Sequence, residues 1–353
     1  MKKRLSTLER GYYWKYNLHK TKVLLFPNMG NFAIIMSMNK KRLVSGIKPS
    51  GRPHIGNYFG AMRQFVNLQE IHDSFIFIAD YHALTTLQNR SEMSENIIEM
   101  AIDYLATGLD PEKVTLYQQS TISYHTELAW IFNCLTTMPY LMRAHAFKDS
   151  EAKNKEINVG VFDYPILMAA DILLYDAVVV PVGQDQKQHI EIARDTAEKF
   201  NNTFGETFVL PEPLILENVK TVTGTDGQKM SKSYGNHIPL FATDDEIKKL
   251  VMSIVTDSGS SVPENVKALH LLFKNKKEVE KIYSDKEGKY KELKEALIED
   301  MIAFIAPLRE NRLKFEKDKG EVVNILKKGS EKANEIAQRK MKEVKEKIGV
   351  LLS

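Results

Sequence analysis

Cysteine is nearly absent: Cys134 stands alone among 353 residues. No internal disulfide can form, and no Cys/His spacing suggests zinc or another metal centre. The reducing cytoplasm is the expected compartment. Long apolar runs are missing too. Nothing approaches the ~18 uncharged apolar residues of a membrane span, so no membrane partner is expected. Nor is one sign of charge in strong excess. The net charge is +3, and it is uneven: residues 1–38 carry seven Lys/Arg against the single acid Glu9, while the other 315 residues are net −3. Global charge therefore gives no argument for nucleic-acid binding, and any such surface must be local. What is present is ordinary for a folded protein. Hydrophobic residues make up 43% and charged residues 27%, which supports a real core and rules out a wholly disordered chain. The length suggests two domains, or one large domain with an appendage.

Residues 1–38 read unlike the rest. They are basic, hold Tyr12, Tyr13, Trp14 and Tyr16, and lack any sustained helical or strand period. Three readings stay open for them. A start assigned too far upstream would make Met36 or Met38 the true beginning. An organelle-targeting segment fits the scarcity of acids but not the paucity of Ser. The third is a functional appendage.

From Lys41 onward strand and helix alternate. Arg42–Ile47 reads as a short apolar strand, followed by the loop Lys48–Pro53 and a helix from about Ile55 to Ile71. Phe75–Ala79 is an unbroken apolar run ending at Asp80, the pattern of a strand buried on both faces. Ile97, Ile98, Ala101, Ile102 and Leu105 fall at helical spacing, and Gly108 with Pro111 stops that helix. Val114–Tyr117 and Ala177–Val182 read as further strands, the latter entered from a helix around Leu167–Tyr175. The rhythm predicts an α/β fold with a doubly wound parallel sheet. After Gly235 the strands disappear. Thr243–Glu246 is a capping box ahead of Ile247, Leu250, Val251 and Ile254, and Leu293–Arg309 and Ser330–Ile348 are further amphipathic helices. The expected division is a basic extension over 1–38, an α/β domain over 39–234 and an all-helical domain over 235–353. The last 33 residues hold eight Lys/Arg against five acids.

Two clusters carry chemistry. Pro49-Ser50-Gly51-Arg52-Pro53-His54-Ile55-Gly56-Asn57 lies between the first strand and the first helix. In a doubly wound sheet that is where ligands bind. A helix start offers free N–H groups and a positive dipole end, both suited to phosphate. Gly56 has no side chain, so a flat base can approach the backbone, and His54 and Asn57 add donors on the same turn. Alone, the segment reads more simply as a Pro/Gly loop with a surface histidine. The second cluster is Gly227–Ser233, with Lys229, Met230, Ser231, Lys232 and Ser233. Two lysines three apart, with small hydroxyls between them, make a mobile cationic loop fitted to a polyphosphate. Alone, such a loop is ordinary solvated surface. Both clusters in one chain, in this order on a parallel sheet, change that reading.

His54-Ile55-Gly56-Asn57 is similar to the HIGH motif, and Lys229–Ser233 is KMSKS letter for letter. Together they mark class I aminoacyl-tRNA synthetases. Ser45–Gly51, Gly108–Pro111, Tyr164–Tyr175 and Val182–His189 further resemble tryptophanyl-tRNA synthetases of the bacterial and organellar type. The resemblance runs from about Lys41 to Gly349. It implies ATP with Mg2+, L-tryptophan and tRNA(Trp) as partners, and a homodimer built around the helical stretch near His125–Leu141. It implies catalytic roles for His54, Asn57, Lys229 and Lys232. Lys48, Pro49, Ser50, Gly56 and Asn57 would hold phosphates and adenine. Gly183, Gln184 and Asp185 would contact ribose, the backbone near Val222 the adenine, and Lys229, Met230, Ser231, Lys232 and Ser233 the pyrophosphate. Many relatives have Gln where this chain has Lys48, and many have Lys where it has Ser150; Lys153 is a nearby alternative.

The amino-acid choice has its own physical argument. Asp171 is a lone carboxylate on an otherwise apolar helix, and an apolar pocket rejects a charge unless something donates to it. The indole N–H only donates. By analogy Tyr164, Met168, Val180, Val182 and His82 would wall a flat aromatic slot, with Gln186 at the ligand's polar end. The alternative is an Asp171 that pairs with a local Lys or Arg. The reaction implied is attack of the tryptophan carboxylate on the ATP α-phosphorus, then acyl transfer to the terminal adenosine of the tRNA. No side-chain nucleophile is required, so catalysis rests on positioning and charge stabilisation. A tyrosyl-tRNA synthetase shares the architecture but must satisfy a phenolic hydroxyl. A small-molecule nucleotidylyltransferase would not need the helical C-terminal region. A catalytically dead RNA-binding relative is expected to have lost Lys229 or Lys232, and both are present.

Overall fold

The computed structural model describes residues 40–144, 157–215, 222–256 and 262–352. The N-terminal extension, Ser150 and Lys153 lie outside the described residues, and so does the side chain of Asp185. From Lys40 the chain is one compact unit.

Five parallel strands, β1 (Arg42–Ile47), β2 (Asp73–Ile78), β3 (Val114–Gln118), β4 (Val179–Pro181) and β5 (Glu212–Leu214), form one sheet in the order β3-β2-β1-β4-β5. Leu43 stands opposite Ser74 on one side and Val179 on the other, so β1 is where the winding reverses. A crevice at the carboxyl ends of β1 and β4 follows from that reversal. Both faces are buried, and alternate residues serve different cores. Leu43, Ile76, Ile78 and Leu116 join one apolar cluster, while Val44, Phe75, Phe77 and Tyr117 join the other.

The helices are α1 (Ile55–Asn57), α2 (Arg63–Leu68), α3 (Asp80–Leu84), α4 (Arg90–Ala106), α5 (Tyr124–Leu135), α6 (Met138–Leu141), α7 (Val159–Leu173), α8 (Lys187–Phe204), α9 (Asp244–Met252), α10 (Glu264–His270), α11 (Lys276–Asp285), α12 (Tyr290–Lys317) and α13 (Lys319–Lys347). The helix expected over Ile55–Ile71 is interrupted by a π-helical turn, Tyr58–Met62, between α1 and α2. Such turns gather at functional sites; Ala61, within this one, lines the cavity described below. β5 went unforeseen because it has three residues, one of them Pro213, which is tolerated in a sheet only at an edge or strand start.

After residue 235 the described chain is helical, as its apolar periodicity predicts, apart from an isolated bridge between Pro239 and His54. The capping box is present: the Thr243 hydroxyl accepts from the Glu246 N–H at 3.3 Å, and the Glu246 carboxylate accepts from the Thr243 N–H at 2.8 Å. These helices share a core with the sheet. Val266, Leu269, Leu293, Leu297 and Val322 belong to the same cluster as Leu43 and Ile76. Helix α13 then crosses the edge strand β3, with Val322 and Leu326 in one core and Ala333, Ala337, Met341 and Val344 in the other. At the crossing sits Gly329, where a Cβ would run into the Leu116 carbonyl oxygen. Covering β3 in this way protects an edge that would otherwise offer unpaired backbone groups.

Candidate active site

The backbone stitches the two signature loops together. The Ile55 N–H donates to the Ile238 carbonyl at 3.0 Å and the Leu240 N–H to the Pro53 carbonyl at 3.0 Å. The Lys232 ammonium donates to the Ser50 carbonyl at 3.0 Å, bridging one loop to the other. Partial burial lowers its pKa. The lysine loop is itself a hairpin, with the Met230 N–H on the Val222 carbonyl at 2.9 Å and the Gly224 N–H on the Gln228 carbonyl at 2.7 Å. Met230 is buried and approaches Gly56, whereas Lys229 is exposed. Asn57 turns back on its own helix start and accepts the His54 N–H at 3.0 Å. His54 is buried, and its Nδ1 has no hydrogen-bond partner among the described residues. Burial, with the nearby His237 and Lys232 adding, pushes its pKa down to about 4, so near neutral pH it is an uncharged imidazole. Arg52, on the same loop, lies 3.7 Å from Glu99 and 3.8 Å from Glu316, two of the acids around the buried Arg312.

A cavity of about 430 Å³ opens beside these loops, at the carboxyl ends of β1 and β4. All seven residues expected around the amino acid line it: the five wall residues His82, Tyr164, Met168, Val180 and Val182, with Asp171 and Gln186. Of the residues expected to hold the nucleotide, Lys48 and Gly183 line it as well. Pro49, Ser50, Gly56, Asn57, Gln184, Val222 and Lys229–Ser233 do not. The arrangement is thus an apolar-walled cavity next to a pair of cationic loops, with Lys48 and Gly183 on the boundary. Partial burial lowers the Lys48 pKa, and its ammonium reaches the Thr85 hydroxyl at 3.4 Å.

Asp171, 1% exposed, lines the cavity from α7. It is not a lone carboxylate, and among the described residues it is not the partner of a Lys or Arg. It accepts from His82 Nε2 at 2.8 Å, from His125 Nδ1 at 2.7 Å, and from Gln119 Nε2 at 2.8 and 3.0 Å on its two oxygens. Behind it, His125 Nε2 meets the Tyr175 hydroxyl at 2.9 Å. Burial alone would raise the Asp171 pKa, but the hydrogen bonds from His125 and His82 hold it at about 2. The group is therefore an anion that can only accept. These four contacts come from three donors, with the Gln119 NH2 spread over both oxygens, so a ligand N–H would share the carboxylate with the Gln119 amide.

Sequence reasoning missed Gln119 and missed His125 in this role. A signal for Gln119 was available. It directly follows the carboxyl end of β3, where side chains in such sheets converge on the ligand crevice.

The family model for class I tRNA synthetases (W and Y) matches residues 36–304. The tryptophan--tRNA ligase of Fusobacterium nucleatum is 48% identical over 320 residues, covering 88% of this chain and 98% of that protein. The crystal structure of Campylobacter jejuni tryptophanyl-tRNA synthetase complexed with ADP and tryptophan superposes with a TM-score of 0.82 at 42% identity, covering 87% of this chain and 99% of that one. A tyrosyl-tRNA synthetase from Archaeoglobus fulgidus, at 19% identity and a TM-score of 0.62, shares the fold. The motifs, the parallel sheet and the two loops stitched beside one cavity thus agree with the relatives, and the chain belongs to the class I tRNA synthetases of the tryptophan and tyrosine group, among the tryptophan--tRNA ligases.

Proposed function

We propose that this chain activates L-tryptophan with ATP in the crevice above β1 and β4 and transfers it to tRNA(Trp). The observation that carries the reading is the cavity with an ionised, acceptor-only Asp171 at its wall. The indole lies among Tyr164, Met168, Val180 and Val182, and its N–H donates to Asp171. The carboxylate then points toward Lys48 and Gln186, at the boundary with the phosphate loops. It attacks the α-phosphorus, the bond to the β-phosphate oxygen breaks, and diphosphate leaves between Lys229 and Lys232. Neutral His54 serves as a hydrogen-bonding wall of that site, not as a cation. In the second step a ribose hydroxyl of the terminal adenosine attacks the acyl carbonyl, and AMP departs. An Asp171 oxygen that only accepts rejects a ring without a donor, a discrimination worth roughly 10⁴–10⁵ in sites built on such a bond.

Mg2+ fits this reading only as a companion of the phosphates. Among the described residues no group of three His, Cys, Asp or Glu side chains could hold a metal ion. The ion would arrive on phosphate oxygens and water, its usual ligands, and would supply charge neutralisation there.

A homodimer belongs to the same proposal. Trp130 on α5 and Met138 on α6 are 71% and 57% exposed, while Ile131 and Leu135 are partly buried against their own core. Trp130 and Met138, on neighbouring helices, would be covered by a second copy, which supports the reading. The exposed bases of α13, Lys328 and Arg339 among them, support the expectation that the C-terminal helices carry the anticodon end of the tRNA. Cytoplasmic placement rests on where tRNA is charged; among the described residues no helix is long and apolar enough to cross a membrane.

The test is ATP–pyrophosphate exchange with tryptophan, tyrosine and phenylalanine supplied separately. Exchange with tryptophan alone supports the reading. Equal exchange with tyrosine, or none with any of the three, overturns it.

A further inference from the structure

We propose that Asn236 is the positioning residue of the lysine loop: its carboxamide clamps the backbone between Lys229 and Lys232 and so aims both ammoniums at one site. The inference rests on the reading of those lysines as phosphate ligands and adds a residue outside the five-residue motif. Asn236 is 3% exposed. Its Oδ1 accepts the Ser231 N–H at 2.8 Å, and its Nδ2 donates to the Lys229 carbonyl at 3.1 Å and to Asp226 Oδ1 at 2.8 Å. Its own carbonyl accepts the Thr225 N–H at 2.9 Å. One side chain thus grips the chain just after Lys229 and just before Lys232.

The surroundings are shaped for it. Gly235, with φ of +65°, turns the chain back so that Asn236 comes to lie under the loop. Any side chain at Gly224 would collide with the carboxamide. Asp226, the third point of the clamp, also accepts the Gln228 N–H at 2.9 Å. Only a carboxamide supplies an acceptor and two donors from one carbon. An aspartate there would set an acceptor against the Lys229 carbonyl and against Asp226.

The reason to expect a functional effect is mechanical. Lysine is a flexible point charge, so a transition-state contact depends on where the backbone holds its Cα. A misplacement of about 1 Å costs on the order of 10²-fold. Lys229 is exposed, and between it and Lys232 only Met230 is buried in the core. Without the clamp, the tie from the Met230 N–H to Val222 is left to hold that stretch.

The variants are N236A, N236D, D226N and N236D/D226N, each measured by tryptophan-dependent exchange and normalised to the fraction of active sites that form adenylate. N236A and N236D should lower kcat per active site at least tenfold, with the KM for tryptophan within twofold. The double variant should be faster than N236D yet slower than the parent, because an Asn at 226 can donate to an Asp at 236 while the Lys229 carbonyl still faces an acceptor. A purely structural role would lower the melting temperature and the active fraction but leave kcat per site intact. Independently of catalysis, hydrogen exchange at the Ser231 amide should be slow in the full-length protein and fast in N236A. The proposal is overturned by N236A turning over within threefold of the parent, by a double variant no faster than N236D, or by unchanged protection at Ser231. If the parent shows no tryptophan-dependent exchange, the substrate reading fails while the Ser231 amide still decides the clamp.

Discussion

Asp171→Asn keeps the shape of the side chain and removes its charge, and the structure lets the cost be worked out in two parts. The carboxylate accepts from His82, His125 and Gln119, all buried. An amide accepts on one oxygen only, so one of these N–H groups must then face an NH2. Losing one charge-assisted hydrogen bond in such a place costs about 1.5–3 kcal/mol, and the variant should be less stable to urea by that amount. The second part is functional. With the anion gone, the indole N–H loses its charged acceptor for a further about 1.5–3 kcal/mol, a fall in kcat/KM for tryptophan of roughly tenfold to 150-fold. The KM for ATP should move less than twofold, because Asp171 lies in the cavity and not beside Lys229 or Lys232. The assay is tryptophan-dependent exchange at pH 7.5, corrected for active sites. Asp171 also fixes the sign of one pH effect. Its pKa of about 2 lies below the usual 3.8, so its contribution to stability is present above pH 3.8 and is lost as pH falls toward 2. The stability gap between parent and variant should therefore narrow below pH 4. A folded D171N that keeps kcat/KM for tryptophan within threefold of the parent would refute the assignment of Asp171 as the indole acceptor.

Lys229→Ala and Lys232→Ala should each lower the exchange kcat at least tenfold while the KM for ATP changes less; weak binding with normal turnover would count against a transition-state role. His54, pushed down to about 4 from an ordinary 6.5, makes the fold most stable above pH 6.5 and costs it up to about 3 kcal/mol as pH falls to 4, less where water reaches the ring. His54→Gln should remove that component, seen as a parent-minus-variant stability difference that shrinks on acidification; a pH-independent difference would contradict the buried neutral ring. Trp130→Glu should convert a dimer into a monomer in light scattering, and a parent already monomeric at micromolar concentration sinks the dimer. Gly329→Ala should destabilise by about 1–3 kcal/mol through collision with Leu116, although alanine favours a helix; a more stable variant would mean that α13 does not cross β3 so closely.

Most of the sheet was legible because its strands are buried on both faces, which writes them as apolar runs such as Phe75–Ala79. The signature loops were legible because contiguous residues carry them. Most of the slot residues came from Tyr164–Tyr175 and Val182–His189, again continuous stretches; His82 and Val180 lie outside them. What stayed hidden depends on convergence in space. Gln119 and His125 reach Asp171 across 52 and 46 residues of chain, and no local period marks either one as its partner. Read alone, the helix around Asp171 shows an acid among apolar residues, which is only half of a satisfied network.

Helix α13 shows how a local rule can give the wrong boundary for a good physical reason. The sequence pattern starts a helix at Ser330, since a glycine inside a helix is destabilising by about 0.5–1 kcal/mol relative to alanine. The helix in fact runs from Lys319 through Gly329 to Lys347. The glycine is what allows it to continue. Any side chain at that position would hold the helix away from β3, separating Val322 and Leu326 from one core or Ala333, Ala337 and Met341 from the other. Burying one such apolar side chain is worth about 1.5–3 kcal/mol, more than the glycine costs. The residue that reads as a break in one dimension is therefore the residue that lets one helix close both faces of the sheet.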